Sequence, residues 1–254
     1  MNSFKVLFII VLFYSCRSLP YGPLMLNSPL ISEPGEIHVQ GGISTSTGEL
    51  EYERYEGALI YSPIKNNTIQ SQIYFNKAAK TFRTNIGYGY KMLPFENKKL
   101  PLEIFFGIGY GKIKYSAFAP VYMAGFEMPE VEFEAQYKGN LYTTFLQIAI
   151  GAISAKNIIF VWGFRILYAN FIGYQNRLYE IEYGVEEIKY NIPYKNESFY
   201  FSLAPSIRIN YNKITFVPQI GISWPFHKAT TGNRLSTFNV FCGVSLLTRF
   251  NIYN

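Results

Sequence analysis

The sequence predicts an all-β fold: a single antiparallel transmembrane β-barrel of about ten strands, wound as an up-and-down meander with both termini periplasmic. Three observations predict it. The 254-residue chain is 49% hydrophobic and 18% aromatic, with 22 Tyr and 22 Phe, yet only 16% charged; soluble domains carry about 25% charge. From Glu36 onward apolar and polar residues alternate with the period of a strand. The links between alternating segments switch between short and longer, as turns at one end of a barrel and loops at the other require.

The elements follow in order. Residues 1–15, MNSFKVLFIIVLFYS, place Lys5 before the apolar core Val6–Tyr14. Nine residues make a helix of only about 14 Å, short of a hydrocarbon slab of about 30 Å, so this stretch predicts a cleaved signal peptide. Residues 16–35 hold Pro20, Pro23, Pro29 and Pro34, which oppose helix and sheet and predict an extended linker, with room to line part of the barrel wall. Residues 36–254 form the predicted barrel domain.

Ten segments alternate. Glu36–Ser44 sets Ile37, Val39 and Ile43 against Glu36, His38, Gln40 and Ser44; Tyr52–Ser62 sets Tyr55, Leu59 and Tyr61 against Arg54, Glu56 and Ala58. Ile69–Asn76 opposes Ile69, Ile73 and Phe75 to Gln70, Gln72 and Asn76, and Phe82–Met92 opposes Phe82, Ile86, Tyr88 and Tyr90 to Arg83, Asn85 and Lys91. Leu102–Tyr115, Glu132–Ala152 and Ile158–Tyr174 continue the pattern, with Glu103, Gln147 and Arg165 on their polar faces. Ser198–Tyr211, Ile214–Trp224 and Ser236–Phe250 complete it, with Arg208, Gln219 and Ser245 on theirs. Ile158–Tyr174 is apolar enough to suggest a membrane helix, but a central Arg165 is costly there and the alternation favours a strand.

A soluble sandwich alternates too. Its polar face, however, is rich in Lys and Glu, whereas here Gly, Ser, Gln, Asn and isolated Arg suit a confined wet lumen. The apolar faces, dense in Phe, Tyr and Trp, suit lipid. Short links are expected at Ser62–Asn67, Pro94–Pro101, Ser154–Asn157 and Asn210–Lys213. Longer ones are expected at Thr45–Glu51, Asn76–Thr81, Ser116–Glu130, Gln175–Glu197 and His227–Leu235.

Leu12-Phe13-Tyr14-Ser15-Cys16 resembles a bacterial lipoprotein signal, which implies lipidation of Cys16; Ser15 fits, while Phe13 stands where Leu is usual. The alternative is a secreted precursor cut nearby. Together with Tyr21-Gly22-Pro23-Leu24-Met25-Leu26-Asn27-Ser28-Pro29-Leu30, Pro34-Gly35-Glu36 and the ten segments, the layout resembles small bacterial outer-membrane β-barrel proteins. The resemblance implies an outer-membrane location and a partnership with the barrel assembly machinery; Phe250 and Tyr253 lie near the end, although Asn254 is last. It implies no activity.

Two constellations remain. The lumen faces carry Glu36, His38, Arg54, Glu56, Arg83, Lys91, Glu103, Arg165 and Arg208: either a brace of paired charges filling a small barrel or a narrow path for small solutes or ions. The outer loops hold 13 of the 17 glutamates, among them Glu127, Glu130, Glu132, Glu134, Glu180, Glu182, Glu186 and Glu187. These are either solvated extensions, with Glu130, Glu132 and Glu134 facing outward by parity, or points where divalent cations bridge to lipid phosphates.

The chain contains no Asp, two His and two Cys, which excludes EF-hand loops, Asp-bearing triads and a closed zinc site, and no cofactor is expected. The net charge of +6 forms no basic run, so nucleic acid is not an expected partner; membrane lipid is. The expected function is structural or surface-interacting, with a narrow passive pore as the alternative. An outer-membrane lipid hydrolase using a Ser, His227 and a Glu comes third, because no local motif supports it, and the chain is not expected to be an enzyme.

Overall fold

The computed structural model describes Leu26 and residues 33–46, 54–76, 81–92, 100–120, 132–155, 157–181, 184–186, 192–211, 213–225 and 239–252. Eleven strands are described. They are β1 (Glu36–Ser46), β2 (Arg54–Tyr61), β3 (Asn67–Asn76), β4 (Thr81–Met92), β5 (Leu102–Pro120) and β6 (Glu132–Ala155). The others are β7 (Ile158–Ile181), β8 (Gly184–Glu186), β9 (Ile192–Tyr211), β10 (Ile214–Pro225) and β11 (Asn239–Asn251). Each wall strand pairs antiparallel with its neighbour in the chain, and β1 pairs with β11, from Glu36↔Asn251 to Ser46↔Phe241. Ten strands therefore close on themselves and leave no edge; β8 pairs only with the top of β7. Ile158–Tyr174 lies within strand β7.

Both described ends sit beside the tight turns. Gly35 N–H donates to Ser62 O at 2.8 Å, and Ile252 N–H donates to Gly35 O at 3.1 Å. Gly35 has φ 77°, and Asn66, in the β2–β3 turn, has φ 64°; these left-handed positions favour Gly and Asn. This is the periplasmic end.

Strand length differs sharply around the wall. β2 has 8 residues, while β6 and β7 have 24 each. About 9–11 residues cross an outer membrane, so β5, β6, β7 and β9 rise well beyond it on the side away from the termini. This corrects the loop expectations. The link expected at Gln175–Glu197 is largely strand, because β7 runs on to Ile181 and β9 begins at Ile192. The link expected at Ser116–Glu130 starts only after Pro120. Link lengths do not alternate strictly either: residues 77–80 join β3 to β4 at the outer end, while the longer 93–101 joins β4 to β5 at the periplasmic end. β3 and β4, at 10 and 12 residues, are short beside β5, β6 and β7, and only four residues join them.

The parity is that of a membrane barrel. Leu59, Ile86, Phe106 and Leu246 face outward at 53–58% exposure, whereas Arg54, Glu103 and Arg165 are at 1% or less. A soluble fold would reverse these values. Tyr88, Tyr90 and Tyr211 face outward toward the periplasmic end, and Tyr110 and Tyr142 toward the other, their rings 5.5 Å apart. Such aromatic rims mark the two interfaces of the bilayer.

Candidate functional site

The closed wall surrounds a lumen, and alternate side chains of the wall strands line it in tiers. The lowest tier is ionic. His38 Nε2 lies 2.7 Å from Glu36 Oε1, and Arg249 stands opposite His38 in the β1–β11 ladder. On the adjacent strands β4 and β5, Lys91 and Glu103 pair in register. Glu103 is fully buried and attracts both Lys91 and Arg208. Arg249 is not among the lumen residues expected from the sequence, although its parity with Ser245 and Leu247 places it on the lumen side.

The middle tier is made of amides and hydroxyls. Gln40 donates to Ser245 Oγ at 2.6 Å, and Ser202 donates to Ser223 Oγ at 2.9 Å. Arg165 donates to Gln147 Oε1 from Nε at 3.1 Å and from Nη2 at 2.5 Å, with its guanidinium 4.9 Å from the Phe145 ring centre. Cross-strand register, Gln147↔Arg165, makes this fork possible. Gln219 of β10 holds Leu26: Leu26 N–H donates to Gln219 Oε1 at 2.9 Å, and Gln219 Nε2 donates to Leu26 O at 3.1 Å.

Higher up, two arginines flank one ring. The Arg83 guanidinium lies 4.1 Å and that of Arg54 5.9 Å from the Tyr74 ring centre. Ser44 donates to Glu56 Oε1 at 2.5 Å. Above them Ile113, Tyr137, Leu141, Phe171 and Tyr200 pack as an apolar cluster.

This aromatic filling is not among the features expected from the sequence. Tyr74, Phe105, Phe145 and Phe241 all point inward at 6% exposure or less. The available signal was a broken alternation: in Ile73-Tyr74-Phe75 and Ile104-Phe105-Phe106 the inward residue is as apolar as its outward neighbours. Glycines make the room. A Cβ on Gly89 would lie 2.3 Å from the Phe105 ring, and one on Gly107 would lie 2.4 Å from the Phe145 ring.

The structure thus brings Glu36, His38, Lys91, Glu103 and Arg208 together at the base, and Arg54, Glu56, Arg83 and Arg165 higher in the same bore. Glu132 and Glu134 lie on β6, Glu180 on β7 and Glu186 on β8, all in the extended wall. Their side-chain directions, together with Cys16, the leader, Glu127, Glu130, Glu182, Glu187 and His227, lie outside the described residues. On the outer part of β9, Lys195 Nζ and Glu197 Oε1 pair at 2.6 Å in the open, and the lysine holds the Glu197 carboxyl below its usual range. Among the described residues no group of three metal-ligating side chains occurs.

An apolar belt outside a closed, polar-lined bore has one stable setting, a bilayer. The chain is an outer-membrane β-barrel. Comparison with known proteins agrees on the fold. No family model matches, and no curated protein matches. Among solved structures, the outer-membrane protease OmpT from Escherichia coli shares 9% identity and a TM-score of 0.56, over 87% of this chain and 98% of its own. The translocator domain of the autotransporter NalP from Neisseria meningitidis gives 11% identity and a TM-score of 0.44, over 85% and 86%. The KdgM porin gives 8% and 0.39, over 84% and 99%. At these identities the first likeness speaks for the fold alone.

Proposed function

We propose that this barrel is a structural or surface-interacting component of the outer membrane, its lumen closed by its own side chains. The filled bore carries the reading. Phe105, Phe145, Phe241 and Tyr74 project across a ten-strand barrel whose remaining width is taken by arginines and amides. Ten strands enclose far less than the 16 to 18 of an open porin. The tall β6–β7 face and the glutamates carried on it would meet partners or divalent cations bridging to lipid phosphates. No catalytic role is assigned. On the same proposal residues 1–15 are removed, the Cys16 thiol carries lipid, and the assembly machinery seats the barrel.

Purified protein in planar bilayers tests the closed lumen: a silent membrane is expected, and steady ohmic steps would overturn it. Mass spectrometry of the mature N-terminus tests the lipid, since a polypeptide starting anywhere but a modified Cys16 rejects that part. The alternative of a narrow pore has one observation in its favour: among the described residues the bore carries more cationic than acidic side chains.

A further inference from the structure

Leu26 is the one described residue of the lead-in before Glu33, and it lies inside the barrel at 5% exposure. Its main chain is bonded at both N–H and C=O by the single amide of Gln219, the pattern a neighbouring strand would offer. Its side chain packs with Ala204 of β9 and Phe241 of β11. Opposite, a Cβ on Gly163 of β7 would fall 3.1 Å from Leu26 Cδ1 and 3.2 Å from Leu26 Cβ, so the wall is pared to glycine where the leucine rests. A primary amide that matches a backbone N–H and C=O, set between small residues, selects an extended peptide with an apolar side chain.

The wall behind this seat is unusual. Pro205 on β9 and Pro218 on β10 lie in the interior of closed-barrel strands, where each removes a ladder donor. Between these strands Phe216↔Ile209, Gln219↔Ser206 and Ile222↔Leu203 pair, while the positions between them do not. On the lipid side of the same seam an apolar hollow of about 390 Å³ lies between Phe160, Trp162, Pro205, Ile207, Pro218 and Ile220. Backbone groups short of partners are costly at membrane depth. Leu26 lies against the inner side of this seam, bonded to the Gln219 side chain of β10 and packed on Ala204 of β9.

We propose that the lumen wall of β7, β9, β10 and β11 carries a binding site for an extended apolar peptide, and that the chain's own lead-in, through Leu26, is its resident ligand. Gln219 clamps the main chain, and Gly163, Ala204 and Phe241 receive the leucine. The site secures the proline-bearing seam from within. It stands whether or not the barrel conducts.

The Cβ spacing offers a direct test, because 3.2 Å is close to the 3.5–4.5 Å of a disulfide. The full chain carrying Leu26→Cys and Gly163→Cys, with Cys16→Ser and Cys242→Ser, is oxidised in isolated outer membranes, digested and examined for linked peptides by mass spectrometry. An intramolecular link is expected in most of the heat-modifiable, folded protein. A control pair, Leu26→Cys with Gly87→Cys on the far wall, should link at least ten-fold less. Gln219→Ala added to the first pair should lower the yield several-fold, and Gln219→Leu serves the same purpose if the smaller residue fails to fold. Folded protein without the link, equal yield in the control pair, or no response to loss of the amide would each overturn the proposal. A link between two chains would reject the lead-in as a ligand in cis.

Discussion

Glu103 is the side chain on which the base of the lumen depends. It is fully buried, faces Lys91 in register and attracts Arg208 as well. Removing one partner of a buried ionic group costs about 3–5 kcal/mol, because the opposite charges remain behind without it. Glu103→Gln should therefore lower the temperature at which the compact form converts to the unfolded band on semi-native gels. Adding Lys91→Met should restore much of the loss, and an unchanged transition in Glu103→Gln would show that the pair contributes nothing. Gly89 makes a steric counterpart. A Cβ there would meet the Phe105 ring at 2.3 Å, and overpacking costs about 1–3 kcal/mol. Gly89→Ala should destabilise the barrel by that amount in the same assay, and Phe105→Leu should rescue it. Failure of the rescue would mean that the ring is not what the glycine accommodates.

At the scale of strands, period two was a sufficient guide to pairing. Outward Ile69, Ile86 and Phe106 and inward Gln70, Arg83 and Glu103 stand where alternation puts them. Two things were less legible. Strand ends above the membrane carry no hydrophobic boundary, so β7 continuing to Ile181 looks like loop in a polar, Glu-bearing stretch. Contacts across the bore depend on which strands face one another around the closed sheet. Arg83 reaches Tyr74 simply as its partner in the β3–β4 register, whereas no local spacing reveals that Leu26 meets Gln219 at a separation of 193 residues. Pro205 and Pro218 lie within strands that the alternation predicts, although proline normally argues against a central strand. Here the β9–β10 seam tolerates both. Returning a donor to that seam should tighten it: Pro218→Val is expected to gain about 1 kcal/mol. Amide exchange within Thr215–Ser223 should slow as well. Faster exchange would indicate that the pyrrolidine ring itself packs the seam.

Considered as a whole, the molecule is a tall, asymmetric tube whose bore is cationic. A strand of 24 residues extends about 80 Å along its own axis, far more than a tilted crossing of the bilayer consumes, so β6 and β7 carry their polar residues well clear of the lipid. Within the bore, among the described residues, six cations (Arg54, Arg83, Lys91, Arg165, Arg208 and Arg249) face three carboxylates (Glu36, Glu56 and Glu103). In a narrow passage with low-dielectric walls, one sign of charge concentrates the opposite ion. The aromatic side chains that fill the passage can be removed without touching those charges. Phe105→Ala combined with Phe145→Ala should convert a silent bilayer into one with small discrete steps. Under a potassium chloride gradient, the reversal potential of those steps should have the sign that denotes chloride preference. Adding Arg83→Glu should weaken or reverse that preference at similar step size. A cation-selective opening in the double variant would show that the carboxylates, or charges outside the bore, govern the field. Continued silence in folded double variant would place the obstruction elsewhere, with the Leu26 seat the next segment to remove.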